Sequence, residues 1–187
     1  MKHGLRWAAL AVGAVVIVFA VILALNVGSD PQTDALESQL LGKQAPDFSL
    51  TTLDGQPLTA ADVAGKSVLV NFWNTWCIPC QTELPALKKF YAAHANDSDF
   101  MMVGIVRRDD TKTIKEFVTG EGIDWKIALD PSKQAALDFG TRGQPETFAI
   151  SPSGQIVAYK PGPMSLDERL QCPQPLLTPS PGALNQP

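Results

Sequence analysis

The chain predicts an α/β domain, a central mixed β-sheet flanked by helices, joined to an apolar leader and a proline-rich tail. Three observations lead there. Apolar runs of strand length alternate with stretches whose apolar residues recur at helical spacing. The alternation closes on two strand patterns around Ser151-Pro152-Ser153-Gly154, a hairpin turn. And Val68-Leu69-Val70, a continuous apolar run of the kind buried on both faces of a sheet, leads into Cys77-Ile78-Pro79-Cys80 and then a helix.

At 187 residues with a net charge of −4, the chain fits one domain plus appendages and has no basic footprint, which argues against nucleic acid as a partner. Lys2 and Arg6 precede an uncharged stretch from Trp7 to Val27, long enough to cross a bilayer once as a helix. Positive charge before it, with Asp30, Asp34 and Glu37 after it, places the N-terminus in the cytoplasm and the rest on the far side. The run ends in Ala24-Leu25-Asn26-Val27-Gly28-Ser29, a poor cleavage site, so an uncleaved signal-anchor is expected rather than a cleaved signal peptide. The expected organisation is a cytoplasmic N-terminus (1–6), a transmembrane anchor (7–27), a tether (28–44), the folded domain (45–170) and a flexible tail (171–187).

Within the domain, Phe48 to Leu53, the Asp54-Gly55 turn and Gln56-Pro57-Leu58 predict a hairpin. Thr59 to Val63 predicts a helical turn closed by Gly65, and Ile78 to His94 a helix that Pro85 should kink. Phe100 to Val106 reads as a strand, and Thr111 to Glu121 as a helix stopped by Gly122. Trp125 to Leu129 reads as a short strand and Ser132 to Phe139 as a short helix. Thr147 to Ile150 and Gln155 to Tyr159 form the closing hairpin. Ser165 to Leu170 has room for a helical turn. Beyond it, Pro173, Pro175, Pro179, Pro181 and Pro187 leave a tail unable to bury a core.

The chemistry concentrates in Cys77 and Cys80. A Cys-x-x-Cys pair at a strand-to-helix junction puts the first sulfur against free helix N–H groups, which favour a thiolate, and the second within disulfide reach. Pro79 suits a first turn that has N–H groups to spare. A structural disulfide here would close too small a loop to constrain the chain. A zinc site needs four ligands, and outside the pair the chain offers only Cys172, His3, His94 and carboxylates. Dithiol–disulfide exchange with no other cofactor is therefore expected. Cys172, an odd cysteine, reads as an incidental thiol in the tail.

Four blocks, Ala45-Pro46-Asp47-Phe48, Val68 to Trp73, Trp76 to Pro85 and Gly143 to Phe148, resemble the bacterial membrane-anchored thioredoxin-like proteins of the TlpA/ResA/DsbE (CcmG-like) type, over about Leu41 to Tyr159. The resemblance implies a thioredoxin fold with an extra N-terminal hairpin and a central insertion. It also implies thiol–disulfide exchange outside the cytoplasm, often on apocytochrome c before haem attachment, with a membrane donor or acceptor of thiol electrons. By that likeness Cys77 is the exposed nucleophile, Cys80 the resolving cysteine and Pro145 a cis-proline. Gln144 then offers backbone groups to a substrate strand.

Cytoplasmic thioredoxins carry a buried aspartate where this chain has Asn71, and the resemblance assigns its proton role to Glu83, one helical turn after Cys80. The alternative is a carboxylate that merely complements the helix dipole. Glu146 is expected either to tune the site or contact substrate, or to be a surface strand-end carboxylate. Trp76 is expected to shield the disulfide, and Trp73 to lie in the core. His94 reads as a helix-end cation or surface residue. The direction of electron flow is open, so an oxidant of secreted proteins is the rival reading. A thiol peroxidase would need Pro-x-x-x-Thr-x-x-Cys, and a copper chaperone Cys-x-x-x-Cys; the chain has neither at this site.

Overall fold

The computed structural model describes residues 40–165, together with Val12, Gly13, 15–19 and Val21. The few described residues of the leader are helical, and their apolar side chains, Val16 and Phe19 among them, are exposed. Most of the 7–27 stretch, residues 28–39 of the 28–44 tether and the whole 171–187 tail with Cys172 lie outside the described residues, as does all but Ser165 of the expected helical turn at Ser165–Leu170. No described helix is long and apolar enough to cross a membrane. Met1–Ser38 and Gln39–Pro187 form separate units.

The second unit is one seven-stranded mixed sheet with helices on both faces. In chain order it contains β1 (Ser49–Thr52), β2 (Pro57–Thr59), α1 (Ala60–Val63), β3 (Ser67–Trp73), α2 (Ile78–His94), β4 (Phe100–Val106), α3 (Thr111–Glu121), β5 (Lys126–Leu129), α4 (Gln134–Asp138), β6 (Glu146–Ile150) and β7 (Ile156–Pro161). The spatial order is β2-β1-β5-β4-β3-β6-β7, with β3, β4 and β5 parallel and the remaining pairs antiparallel. The N-terminal hairpin extends the sheet beyond β5, and α3 with β5 is the insertion between β4 and the closing hairpin.

Local chemistry explains the boundaries. Thr59 and Asp62 form a reciprocal cap on α1. Asp110 accepts the Thr113 N–H at the start of α3, and Gly122, left-handed at φ 60°, closes its end. Pro85 sits inside α2 and removes one donor without ending the helix. Its neighbours Glu83, Leu84, Ala86 and Leu87 are all buried, so packing holds the helix through the gap.

Every residue of β3 is buried, so its side chains serve two cores. Val68, Val70 and Phe72 join the N-terminal hairpin and α4 on one face. There Phe72, Phe139 and Phe148 pack with ring centroids 5.1–5.9 Å apart. Leu69 and Trp73 join α2 and α3 on the other face, with both cysteines in the same cluster. Trp73 is a core residue, as expected. Phe139→Ala should lower stability by about 3–5 kcal/mol, because it empties the centre of the aromatic trio. A urea unfolding midpoint within error of the parent protein would contradict that packing.

Candidate functional site

β3 ends at Trp73, and the loop Asn74-Thr75-Trp76 delivers Cys77 to the start of α2 as its N-cap. Cys77 and Cys80 form a disulfide, with Cα atoms 5.2 Å apart. The Cys80 N–H donates to Cys77 Sγ at 3.3 Å, so a helix-end amide supports that sulfur. Pro79 occupies the first turn.

The Gln144–Pro145 peptide bond is cis, and the Gln144 carbonyl oxygen lies 3.7 Å from Cys77 Sγ. That loop changes one expectation. Cys77 is only 5 % exposed, not open at the helix end, because the loop carrying Gln144 closes against it. The open surface belongs instead to its neighbours, Trp76 at 60 % and Ile78 at 68 %. The Trp76 ring faces solvent, and its Nε1–H donates to the Arg108 carbonyl.

Glu83 is 1 % exposed. Asn71 Nδ2 donates to its Oε1 at 2.9 Å and the Met164 N–H donates to its Oε2 at 2.9 Å. Asn71 Nδ2 also reaches Thr147 Oγ1 at 3.0 Å. Burial raises the carboxyl pKa to about 7, against the two donors, which favour the charged form. The carboxylate is therefore no exposed dipole complement. It is a buried acid poised near neutrality, one helical turn from Cys80.

Glu146 is not a surface carboxylate either. It is 4 % exposed, and Oε1 accepts the Arg142 and Gly143 N–H groups at 2.8 and 2.7 Å while Oε2 accepts the Tyr159 hydroxyl at 2.9 Å. With both oxygens occupied, it anchors the cis-proline loop and has no oxygen turned to a substrate. His94 lies between Phe90 and Phe100 and pairs with Asp97 at 2.9 Å, away from the cysteines in the fold.

Two residues absent from the sequence reading organise the loops. Arg107 donates to Thr141 Oγ1 at 3.2 Å, to the Gly143 carbonyl at 2.9 Å and to Gln144 Oε1. Asp109 Oδ2 accepts both the N–H and the hydroxyl of Thr75, at 2.8 and 2.7 Å. Both follow β4, the parallel neighbour of β3, and the C-terminal ends of parallel strands are where sites collect. The charged run Arg107 to Asp110 at that place was the available signal. Among the described residues no cluster of three or more His, Cys, Asp or Glu side chains is placed to hold a metal ion.

The sequence pattern of the AhpC/TSA family covers residues 41–159. The chain belongs to that family. Within it, the chain is 32 % identical over 124 residues to "Thiol-disulfide oxidoreductase ResA" of Bacillus thuringiensis, covering 65 % of this chain and 69 % of the relative. It is 34 % identical over 131 residues to "Thioredoxin-like protein YneN" of Bacillus subtilis, covering 70 % and 76 %. A secreted Mycobacterium tuberculosis disulfide oxidoreductase, described as homologous to E. coli DsbE, superposes with a TM-score of 0.59 at 28 % identity, covering 65 % of this chain and 90 % of that one. With its Cys-x-x-Cys pair and thioredoxin-like sheet, this AhpC/TSA member is a thiol–disulfide oxidoreductase.

The buried carboxyl makes stability depend on pH. An unfolded glutamate titrates near 4.5 and Glu83 in the fold at about 7, so the folded state keeps a proton that the unfolded state has lost between those values. Stability should therefore fall as pH rises through that window, by on the order of 3 kcal/mol. Glu83→Gln should flatten the slope in urea midpoints collected across the window; an undiminished slope would assign it to another group.

Proposed function

We propose that this protein is a membrane-tethered, extracytoplasmic reductant of disulfides in exported proteins, with apocytochrome c as the substrate class. The observation that carries the catalytic part is Cys77 Sγ set against the Gln144 carbonyl beside cis-Pro145. In that loop Gly143 gives its N–H to Glu146 and its carbonyl to Arg107, and the Pro145 carbonyl takes the Gly162 N–H. Gln144 is left with its N–H, and with a carbonyl that meets only Cys77 Sγ, for an extended substrate strand, the main-chain recognition of β-augmentation. Trp76 and Ile78 supply apolar surface beside it.

In the reductive direction, the Cys77 thiolate attacks one sulfur of a substrate disulfide and releases the other as a thiolate. Cys80, deprotonated with Glu83 as proton acceptor, then attacks Cys77 Sγ. The second substrate sulfur leaves, and Cys77–Cys80 becomes the disulfide. Two electrons pass to the substrate, and a thiol donor in the membrane restores the pair. The uncharged 7–27 stretch, with its exposed apolar helical residues, supports the tether. The absence of Pro-x-x-x-Thr-x-x-Cys argues against peroxide as substrate.

The deciding measurement is the reduction potential of the pair in the chain with Cys172→Ser. A reductant should lie near −270 mV, about the value for thioredoxin. A value near −120 mV, about that of the strong oxidant DsbA, would make the protein a disulfide donor and overturn the cytochrome reading.

A further inference from the structure

Two indole N–H groups inside the domain have no acceptor. Trp73 Nε1 and Trp125 Nε1 are both buried and neither has a hydrogen-bond partner among the described residues. A buried donor left unpaired costs about 1–3 kcal/mol, so two of them together need an explanation.

Both indoles converge on Gly104. A β-carbon there would stand 2.7 Å from Trp73 Nε1 and 3.2 Å from Trp125 Nε1. Gly104 is a β4 residue without a positive φ, so glycine is required there for space and not for backbone freedom. Its register partner on β3 is Asn71, whose amide holds Glu83. Beside these groups is a small cavity, about 10 Å³ of space open to the centre of a water molecule, lined by Asn71, Trp73, Cys80, Leu84, Phe117 and Trp125 among others. That is about the room one water needs.

We propose that this cavity is a built site for a single water molecule that tunes Cys80. Its oxygen accepts the Nε1–H groups of Trp73 and Trp125, which leaves both its hydrogens to donate. Of the two cysteines, Cys80 is the one on the cavity wall. A disulfide sulfur is a weak acceptor and a thiolate a strong one, so the water stabilises the reduced, deprotonated Cys80 selectively. No cation lines the cavity, which suits a neutral ligand rather than an anion. Trp73, Trp125 and Gly104 are then positioning residues for the resolving step. The ionisable groups near Cys80 are its partner Cys77 and Glu83 on its own helix. The side chains facing it across the cavity, Asn71, Trp73, Phe117, Ile123 and Trp125, do not titrate.

This inference rests on the dithiol exchange proposed above, and one experiment separates the two. The full chain with Cys172→Ser, reduced and held in detergent, is mixed with dithiobis(nitrobenzoate) in a stopped-flow instrument. Attack by Cys77 releases one thionitrobenzoate, and attack by Cys80 on the mixed disulfide releases the second. The pH profile of the second phase reports the apparent pKa of Cys80. Trp125→Phe removes one donor and keeps an aromatic ring; Gly104→Ala sets a methyl group against both indole nitrogens and displaces them. Each should raise that apparent pKa by about one unit and slow the second phase about tenfold at neutral pH, with the first phase unchanged. Second-phase profiles matching the parent in both variants would overturn the inference, as would a high-resolution crystal structure of the reduced protein with no ordered water in the cavity. Trp125→Phe decides alone if Gly104→Ala does not fold. A parent chain with no second phase overturns the dithiol exchange itself and this inference with it.

Discussion

A carboxyl group taken out of water sets the constraint on which the site depends. Glu83 can stay buried only if its oxygens are met by donors. Those donors come from Asn71 on β3 and from the backbone at Met164 beyond β7, while the same Asn71 amide binds Thr147 on β6. One side chain thus ties the nucleophile's helix to the strand before it, the strand beside that and the chain leaving the closing hairpin. Burial and hydrogen bonding pull its pKa in opposite directions, and burial wins without holding the group neutral at all working pH values. A fully solvated carboxylate would be too weak a base to take a thiol proton, and one without donors would stay protonated.

A second organising centre is the end of β4, which carries no sulfur chemistry. Asp109 holds Thr75, while the Arg108 carbonyl holds Asn74 and Trp76; all three lie in the loop before Cys77. Arg107 holds the loop that carries Gln144. The two loops that meet across the disulfide are therefore both referenced to one strand end, and their separation is fixed by the pairing of β4 with β3. Glu146 completes the second loop from its other side by taking the Arg142 and Gly143 N–H groups. Backbone groups consumed in this way are not open to a further partner.

Elements with a strong local signal were legible in the sequence. Val68 to Val70, Phe100 to Val106, Thr111 to Glu121 and the turn at Ser151 to Gly154 carry their own period or punctuation, and the fold follows from their alternation. Cys77, Cys80 and cis-Pro145 were legible because a short motif and a family likeness specify them. What escaped was long-range. Arg107 and Asp109 act across more than thirty residues on loops with no matching pattern. For Glu146 a site role and a surface carboxylate both stay open until Tyr159 and two turn N–H groups are folded around it. The burial of Cys77 comes from a loop remote in the chain, whereas the family likeness implied an exposed nucleophile.

The two sulfurs have unequal support, and the inequality bears on the direction of electron flow. Cys77 caps α2 and receives a helix-end N–H, which favours its thiolate. Any stabilisation of a thiolate favours the reduced pair and pushes the protein toward oxidising others. Cys80 lies one turn in, buried, where a charged sulfur is disfavoured. A carboxylate at Glu83 adds like-charge repulsion to a second thiolate, and that penalty disappears once the disulfide forms. Burying an acid of near-neutral pKa one turn from Cys80 therefore works against the helix-end effect, and against the water proposed to stabilise a Cys80 thiolate, and so favours the oxidised pair. Asn71 makes this possible: neutral where the cytoplasmic thioredoxins have an acid, it holds the Glu83 carboxylate as a hydrogen-bond donor instead of competing with it as a second buried charge.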